Sequence, residues 1–543
     1  VAELILGPLL RHVGEREATV WVETDAPCRV EVLGYRTPTF CVAGHHYAML
    51  AIEGLAPGET VEYEVALDGE RRWPPADGGF PPSRISTPHP DGAVSVAFGS
   101  CRVAAPHEHP YLLERTEHPE GRGVDALQAL ADRVRREPPE SWPSLLMMLG
   151  DQVYADDASP ETRAFIRSRR STAAPPGEAV ADFDEYAHLY REAWSEPATR
   201  WLLSTVPSAM IFDDHEVIDD WNISPAWKRD VASQPWWPDR IAGAFMSYWL
   251  YQHLGNLSPA ELAVDRIYGR VREAGDGGPL LREFALDADR TTDGTRWSYS
   301  RRLGRSRLVV IDSRAGRRFD AGRREMLDQA EWRWLSGELQ GDVDHLLIAT
   351  SLPFLLPPAI HDLEAWNEAV CAGAWGRAGA RLGERVRRAI DLEHWASFHT
   401  SFDRLAGILH EVAAGRRGPP PAALVLRCGD VHYAYLAEAR FSGEPVQSRL
   451  YQAVCSPFRH CLEPRLEYAN RFACGRGGDA VGAVLRRSAR IPRPALRWSL
   501  SHGPFFENEV ATLELSGRQA RLRLERTPPR ELSLHCVLDE RLA

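Results

Sequence analysis

Between Leu4 and about Pro90 apolar and polar positions alternate with a period of two. Ala18-Thr19-Val20-Trp21-Val22-Glu23 and Val61-Glu62-Tyr63-Glu64-Val65 each predict a half-buried strand, and the short spacing of such segments predicts a small β-sandwich over residues 1–90. Pro74-Pro75 through Pro88-His89-Pro90 reads as a linker. From residue 91 to 543 the pattern changes to unbroken apolar runs separated by long segments, which is the mark of an α/β domain. The runs are Val94–Phe98, Leu145–Leu149, Ala209–Phe212, Leu308–Ile311, Leu346–Ala349 and Leu424–Leu426, each short enough for a strand covered on both faces. Each ends in polar residues: Ser100-Cys101, Gly150-Asp151, Asp213-Asp214-His215-Glu216, Asp312-Ser313-Arg314, Thr350-Ser351 and Gly429-Asp430-Val431-His432. Layered sheets would gather those ends at one edge, where α/β folds place their sites. Phe505–Leu515 alternates like a closing strand, residues 156–182 read as a surface excursion, and Trp227–Trp237 reads as an aromatic-rich loop that packs on the domain or covers a pocket.

Composition narrows the chemistry. The 543 residues are 44% hydrophobic, enough for a large core and a satellite domain. The net charge of -12 opposes a nucleic acid or an anionic surface as the partner of the chain as a whole. Lys228 is the only lysine and has no glycine-rich turn before it, which removes P-loop chemistry and disfavours Schiff-base chemistry. Neither a Gly-x-Ser-x-Gly elbow nor a His-Glu-x-x-His helix occurs. Nine cysteines, scattered and without a Cys-x-x-Cys pair, read as reduced thiols, and no stretch approaches a membrane span. The expectation is a cytoplasmic protein, or a mature secreted form whose leader has been removed.

Two resemblances follow from particular residues. Leu55-Ala56-Pro57-Gly58 before Tyr63 resembles the tyrosine corner of fibronectin type III-like sandwiches. Over residues 93 to 515 the chain resembles the calcineurin-like metallophosphoesterases, and within them the PhoD-like alkaline phosphatases. The motifs carrying that likeness are Ser100-Cys101, Gly150-Asp151-x-x-Tyr154, Asp213-Asp214-His215-Glu216 and Gly429-Asp430-x-His432, in that order and each at a strand end. The resemblance implies a layered α/β/β/α metallophosphoesterase domain and hydrolysis of a small phosphate ester. It also implies one Fe³⁺ with Ca²⁺ neighbours.

The ligand types agree with those metals. A phenol with a pKa near ~10 becomes a ligand only beside a strongly polarising cation, and carboxylates in place of Asn and His suit hard cations. Cys101, Asp151, Tyr154 and Asp430 are assigned to iron, with Asp151 as a bridge, and Asp214 and Asp219 to calcium. The family places an Asn near the position of Asp219 or Asp220, neither of which is an Asn here, so the calcium arrangement stays open. His215 and His432 are expected to contact phosphate or protonate the leaving oxygen. Arg240, then Arg314, is expected to neutralise charge on the phosphoryl oxygens, either being alternatively a surface ion pair. The expected reaction is attack by a metal-bound hydroxide or oxide on a phosphomonoester. The alternatives are a phosphodiesterase or phospholipase D-like hydrolase, and a non-catalytic metal-containing binding protein. The sequence says nothing about oligomeric state.

Overall fold

The structure is a computed structural model, and it describes residues 2–75, 78–291, 295–319, 324–443 and 445–543. The N-terminal alternation becomes two four-stranded antiparallel sheets with a two-stranded pair beside them. Strand Glu17–Thr24 sits between Leu4–Val13 and His45–Glu53. Its even positions, Ala18, Val20 and Val22, pack with Val30, Leu50 and Val65 inside this unit.

Alternation predicts a solvated face on the other side of that strand, but that face is buried. Trp21 joins the main core of the following domain, and Thr19 and Glu23 are fully buried. Glu23 accepts from Arg191 at 2.6 Å and from Tyr251 at 3.2 Å, so a charged residue is buried here because partners on the next domain satisfy it. Tyr63 departs from a tyrosine corner in the same way: its hydroxyl donates across to the carbonyl of Ser204 at 2.5 Å. The expected linker carries a strand, Arg84–Ser86, paired antiparallel with Thr60–Glu62.

All six apolar runs of the larger domain are strands, distributed over two sheets. In one, Ser208–Ile211, Leu145–Leu149 and Val94–Gly99 run parallel and continue into three antiparallel strands ending at His535–Arg541. In the other, Ser306–Ile311, His345–Thr350, Ala423–Cys428 and Arg449–Val454 are parallel neighbours. The sheets stack face to face: Phe98 and Met147 share one core with Leu308, Leu347 and Val425. Residues one position along, Val309, Ile348 and Leu424, face the helices Gln329–Glu338 and His399–Ala413 instead. Helices Ala126–Val134 and Pro197–Thr205 cover the first sheet, which completes the layered α/β/β/α order expected from the strand pattern.

Two segments differ from their sequence reading. Trp227–Trp237 is mostly helical, Pro225–Ala232 running to the start of Trp237–Ser247, and Trp227 packs edge-on against Trp237 at 5.9 Å. Ser224 starts the first helix by accepting from the Trp227 amide, and proline at the first position suits it. The excursion at 156–182 contains the helix Pro160–Arg169.

Candidate metal centre

The polar ends of the parallel strands of both sheets meet at one edge. Asp430 N–H donates to Ser100 Oγ at 3.1 Å and Phe458 N–H to the Ser100 carbonyl at 2.7 Å, which ties the second sheet to the first. The approach is so close that Gly429 has no room for a side chain: a Cβ there would lie 2.4 Å from Ser100 Cβ. Immediately past the strands the chain turns through the left-handed region at Cys101 (φ 56°), Asp151 (φ 53°), Asp430 (φ 70°) and His432 (φ 57°). Non-glycine residues held there cost on the order of 1–3 kcal/mol each and cluster at functional sites. The turn redirects each side chain from the sheet face into the common edge.

There Cys101 Sγ lies 3.4 Å from Asp151 Oδ2 and the Tyr154 hydroxyl 3.3 Å from the same oxygen. Three sets of ligand-capable atoms lie within 4.8 Å of one another: Cys101, Asp151 and His432; Asp151, Asp214 and His215; and Asp151, Asp213, Asp214 and Asp430. Asp151 belongs to all three. Asp219 lies at the rim, its amide donating to Asp156 at 2.7 Å. The structure therefore brings together Cys101, Asp151, Tyr154, Asp214, His215, Asp430 and His432, with Asp219 at the margin.

Electrostatics explain why this cluster needs a cation. Burial pushes the Asp151 carboxyl well above the usual carboxylate range, and the neighbouring Cys101 adds to it. Burial likewise raises Asp214 well above that range against the pull of Arg314, and pushes the Cys101 thiol up to about 12. At the rim, burial with Glu393 and Asp391 alongside raises Asp220 to about 10. Asp213 Oδ2 and Asp220 Oδ1 are buried without a hydrogen-bond partner. Carboxylates this close cannot all ionise unless a counter-charge joins them. Thiol, phenol and carboxylate donors around one shared Asp fit bound metal ions by number and chemistry.

The two arginines fall elsewhere than expected. Arg240 is fully buried and does not reach the cavity: its Nε donates to the Val217 carbonyl at 2.6 Å and its Nη1 to that of Val180. It braces the loop after His215 from beneath. Arg314 is also fully buried and sits behind the carboxylates, paired with Asp213, Glu393, Asp214 at 3.1 Å and Asp430 at 3.3 Å. Neither is a surface ion pair. Among the described residues, the arginine in the cavity lining is Arg115, whose Nη1 donates to the Pro119 carbonyl.

Several residues here were not singled out from sequence. His394 bridges Glu364 at 2.6 Å and Asp430 at 2.9 Å. Burial alone would lower its pKa, but Glu364 and Asp430 on either side more than offset this and hold it well above the usual value. It lies in Asp391-Leu392-Glu393-His394, a loop far from any strand end, so a search of strand ends passes it by. Asp156 accepts from His215 Nδ1 at 2.9 Å and orients that ring. His460 stacks on Tyr154 at 5.0 Å and meets His432 edge-on at 4.5 Å. It follows the strand Arg449–Val454, so the strand-end rule applied once more would have found it. The cluster floors a cavity of about 760 Å³, whose far wall is apolar and includes Leu356, Ile360, Leu363, Leu462 and Leu466.

Known proteins match this architecture. A family described as PhoD-like phosphatase matches residues 128–439, and one described as a domain of unknown function, DUF7800, matches residues 1–85. No curated protein matches the chain. Among solved structures, that of PhoD aligns over 100% of this chain and 92% of its own, with a TM-score of 0.59 and 12% identity. The purple acid phosphatase PPD1 from yellow lupin (Lupinus luteus) seeds aligns over 97% of this chain and 73% of its own, with a TM-score of 0.50 and 11% identity. At such identities the likeness is one of fold. The family match covers more than half of the residues, and the chain belongs to the PhoD-like phosphatases, a metal-dependent phosphoric ester hydrolase.

Proposed function

We propose that the protein hydrolyses phosphomonoesters at a centre of Fe³⁺ and Ca²⁺. The observation that supports this most is the position of Asp151, shared by all three groups of ligand-capable atoms as a bridging carboxylate must be. Cys101, Tyr154, Asp151 and Asp430 form the iron side of this reading. Asp214 and Asp219, with Asp220 and Asp391 near them, form the calcium side, their all-oxygen character suiting a hard cation. Cations held by these residues would acidify a water and neutralise charge on the phosphoryl oxygens.

The chain's own residues supply the rest. Asp156 fixes the His215 ring and, with Asp151 and Asp214, raises its pKa against the effect of burial, so His215 is placed to give a proton to the leaving oxygen. Burial lowers His432 to about 4, which makes it a neutral hydrogen-bonding group toward phosphate. Arg115 takes the role first expected of Arg240, meeting the phosphoryl oxygens from the cavity wall. Glu364 and His394 hold the Asp430 carboxylate in one orientation, as outer partners of ligands do.

A second reading, phosphodiester hydrolysis, is favoured by the cavity of about 760 Å³, which leaves room beyond a phosphate for two ester arms. Turnover of 4-nitrophenyl phosphate against bis(4-nitrophenyl) phosphate separates the two. In the same assay Asp151→Asn should lose activity and bound iron together. Wild-type turnover in that variant would remove the bridging assignment.

A further inference from the structure

The chain-wide charge of -12 hides a region of opposite sign beside the cavity. Helices Pro358–Cys371, Gly376–Ala389, Pro464–Ala473 and Arg476–Ser488 form one cap. They are closely packed: a Cβ on Gly482 would lie 2.9 Å from Ala359 Cα, and Trp366 and Trp375 meet edge-on at 5.2 Å. Residues 375–390 and 464–493 together hold twelve arginines against three acidic residues, a balance of +9, so the rest of the chain carries -21. Two of these arginines face inward, Arg387 to Glu368 at 2.7 Å and Arg486 to Asp362 at 3.2 Å. The other ten are exposed.

The same surface is apolar. Of twelve large hydrophobic residues exposed among the described residues, eight lie in these two segments, including Tyr468 at 74%, Val484 at 62% and Phe472 at 60%. Leu466 and Ile390 are exposed and also line the cavity, so the apolar surface runs into its mouth. Soluble proteins rarely expose this much apolar surface in one place without a partner for it.

We propose that this cap docks on an anionic lipid surface and turns the cavity mouth toward it. Helices with arginines beside exposed Tyr, Phe, Leu and Val have the composition of interfacial helices, whose apolar side chains enter the acyl boundary while cations meet anionic headgroups. Charge selects the occupant and the orientation together. Two copies of these +9 segments repel one another, which disfavours a second copy, and an anionic surface repels the remaining -21, which leaves the arginine-rich face of the cap as the one that approaches.

Flotation of the intact protein with vesicles tests this without reference to turnover, so the outcome is separate from that of the proposed reaction. The protein should float with vesicles of phosphatidylcholine and phosphatidylglycerol, not with phosphatidylcholine alone, and high salt should weaken the association. The double variant Tyr468→Ser, Phe472→Ser should reduce flotation at least ~10-fold and keep wild-type turnover of 4-nitrophenyl phosphate, because both side chains are exposed and outside the metal cluster. Failure of the wild-type protein to float with either vesicle overturns the proposal. So does flotation that the double variant retains, or a dimer in sedimentation that the double variant abolishes while vesicles are ignored.

Discussion

Gly429→Ala is the sharpest perturbation of the centre because it adds one methyl group and removes no ligand. The new Cβ would lie 2.2 Å from Ser100 Oγ and 2.4 Å from Ser100 Cβ, where ordinary contact begins at 3.4 Å. The strand ends bearing Cys101 and Asp430 must therefore separate by about 1 Å, or the side chain of Ser100 must leave its place and abandon the Asp430 amide. Ligand sets tolerate errors of about 0.2 Å. A misplacement of about 1 Å costs on the order of 100-fold in rate. We expect turnover of 4-nitrophenyl phosphate to fall by about that factor, and bound metal measured by mass spectrometry to fall with it. Ser100→Gly removes the obstructing atoms, so the double variant Ser100→Gly, Gly429→Ala should recover most of both losses and forfeit only the contacts of Ser100 Oγ with the Asp430 amide and Cys101 Sγ, worth about 1 kcal/mol each. A Gly429→Ala enzyme with wild-type metal and turnover, or a double variant no better than the single one, would refute the argument that contact between the two sheets sets the spacing of the site.

Three further outcomes follow from the same geometry. His394→Gln removes the group between Glu364 and Asp430 and should lower metal affinity or turnover by about 10- to 100-fold, the usual cost of losing an outer partner, with unchanged activity counting against that role. Tyr154→Phe keeps the ring stacked on His460 but deletes the only atom able to bind, so the visible charge-transfer band of an iron-loaded enzyme should shift or vanish; an unaltered spectrum would make Tyr154 a packing residue. Calcium chelation should stop turnover reversibly and leave iron in place, and full recovery with Zn²⁺ alone would contradict the hard-cation reading.

The sequence made the strands legible because each buried run is bounded by residues that cannot continue it, and Leu145–Leu149 is a strand with the limits read from the chain. The residues just past those runs were legible for the same reason, and all but one of the expected ligands meet in the cluster while Asp219 stands at its rim. What escaped was contact between units. Glu23, Thr19 and Tyr63 look like the solvent face and corner of an independent sandwich, yet each is buried against the second domain, and alternation cannot distinguish water from a neighbouring protein surface. Arg240 misled by chemistry alone: a guanidinium suits phosphate, but it equally suits two carbonyls under a loop.

His394 shows the limit of reading motifs at strand ends. It reaches Asp430 from a loop 36 residues earlier in the chain, and nothing local in Asp391-Leu392-Glu393-His394 marks its direction. Its placement follows from charge balance rather than pattern. Arg314 sits among Asp213, Asp214, Glu393 and Asp430, and with Arg317 joining it at Glu393 at 3.2 Å, two guanidiniums face four carboxylates. His394 adds a further positive charge beside Asp430, and Asp430, against the opposing effect of desolvation, is held below the usual carboxylate range chiefly by that hydrogen bond and charge. Asp214 shares Arg314 at 3.1 Å and both Asp151 and Asp214 lie near His215, yet burial and the neighbouring acidic groups outweigh these cations and push both up. Protein cations thus offset burial at Asp430 but not at Asp151 or Asp214, and metal ions bound there would complete the charge balance that the side chains leave open.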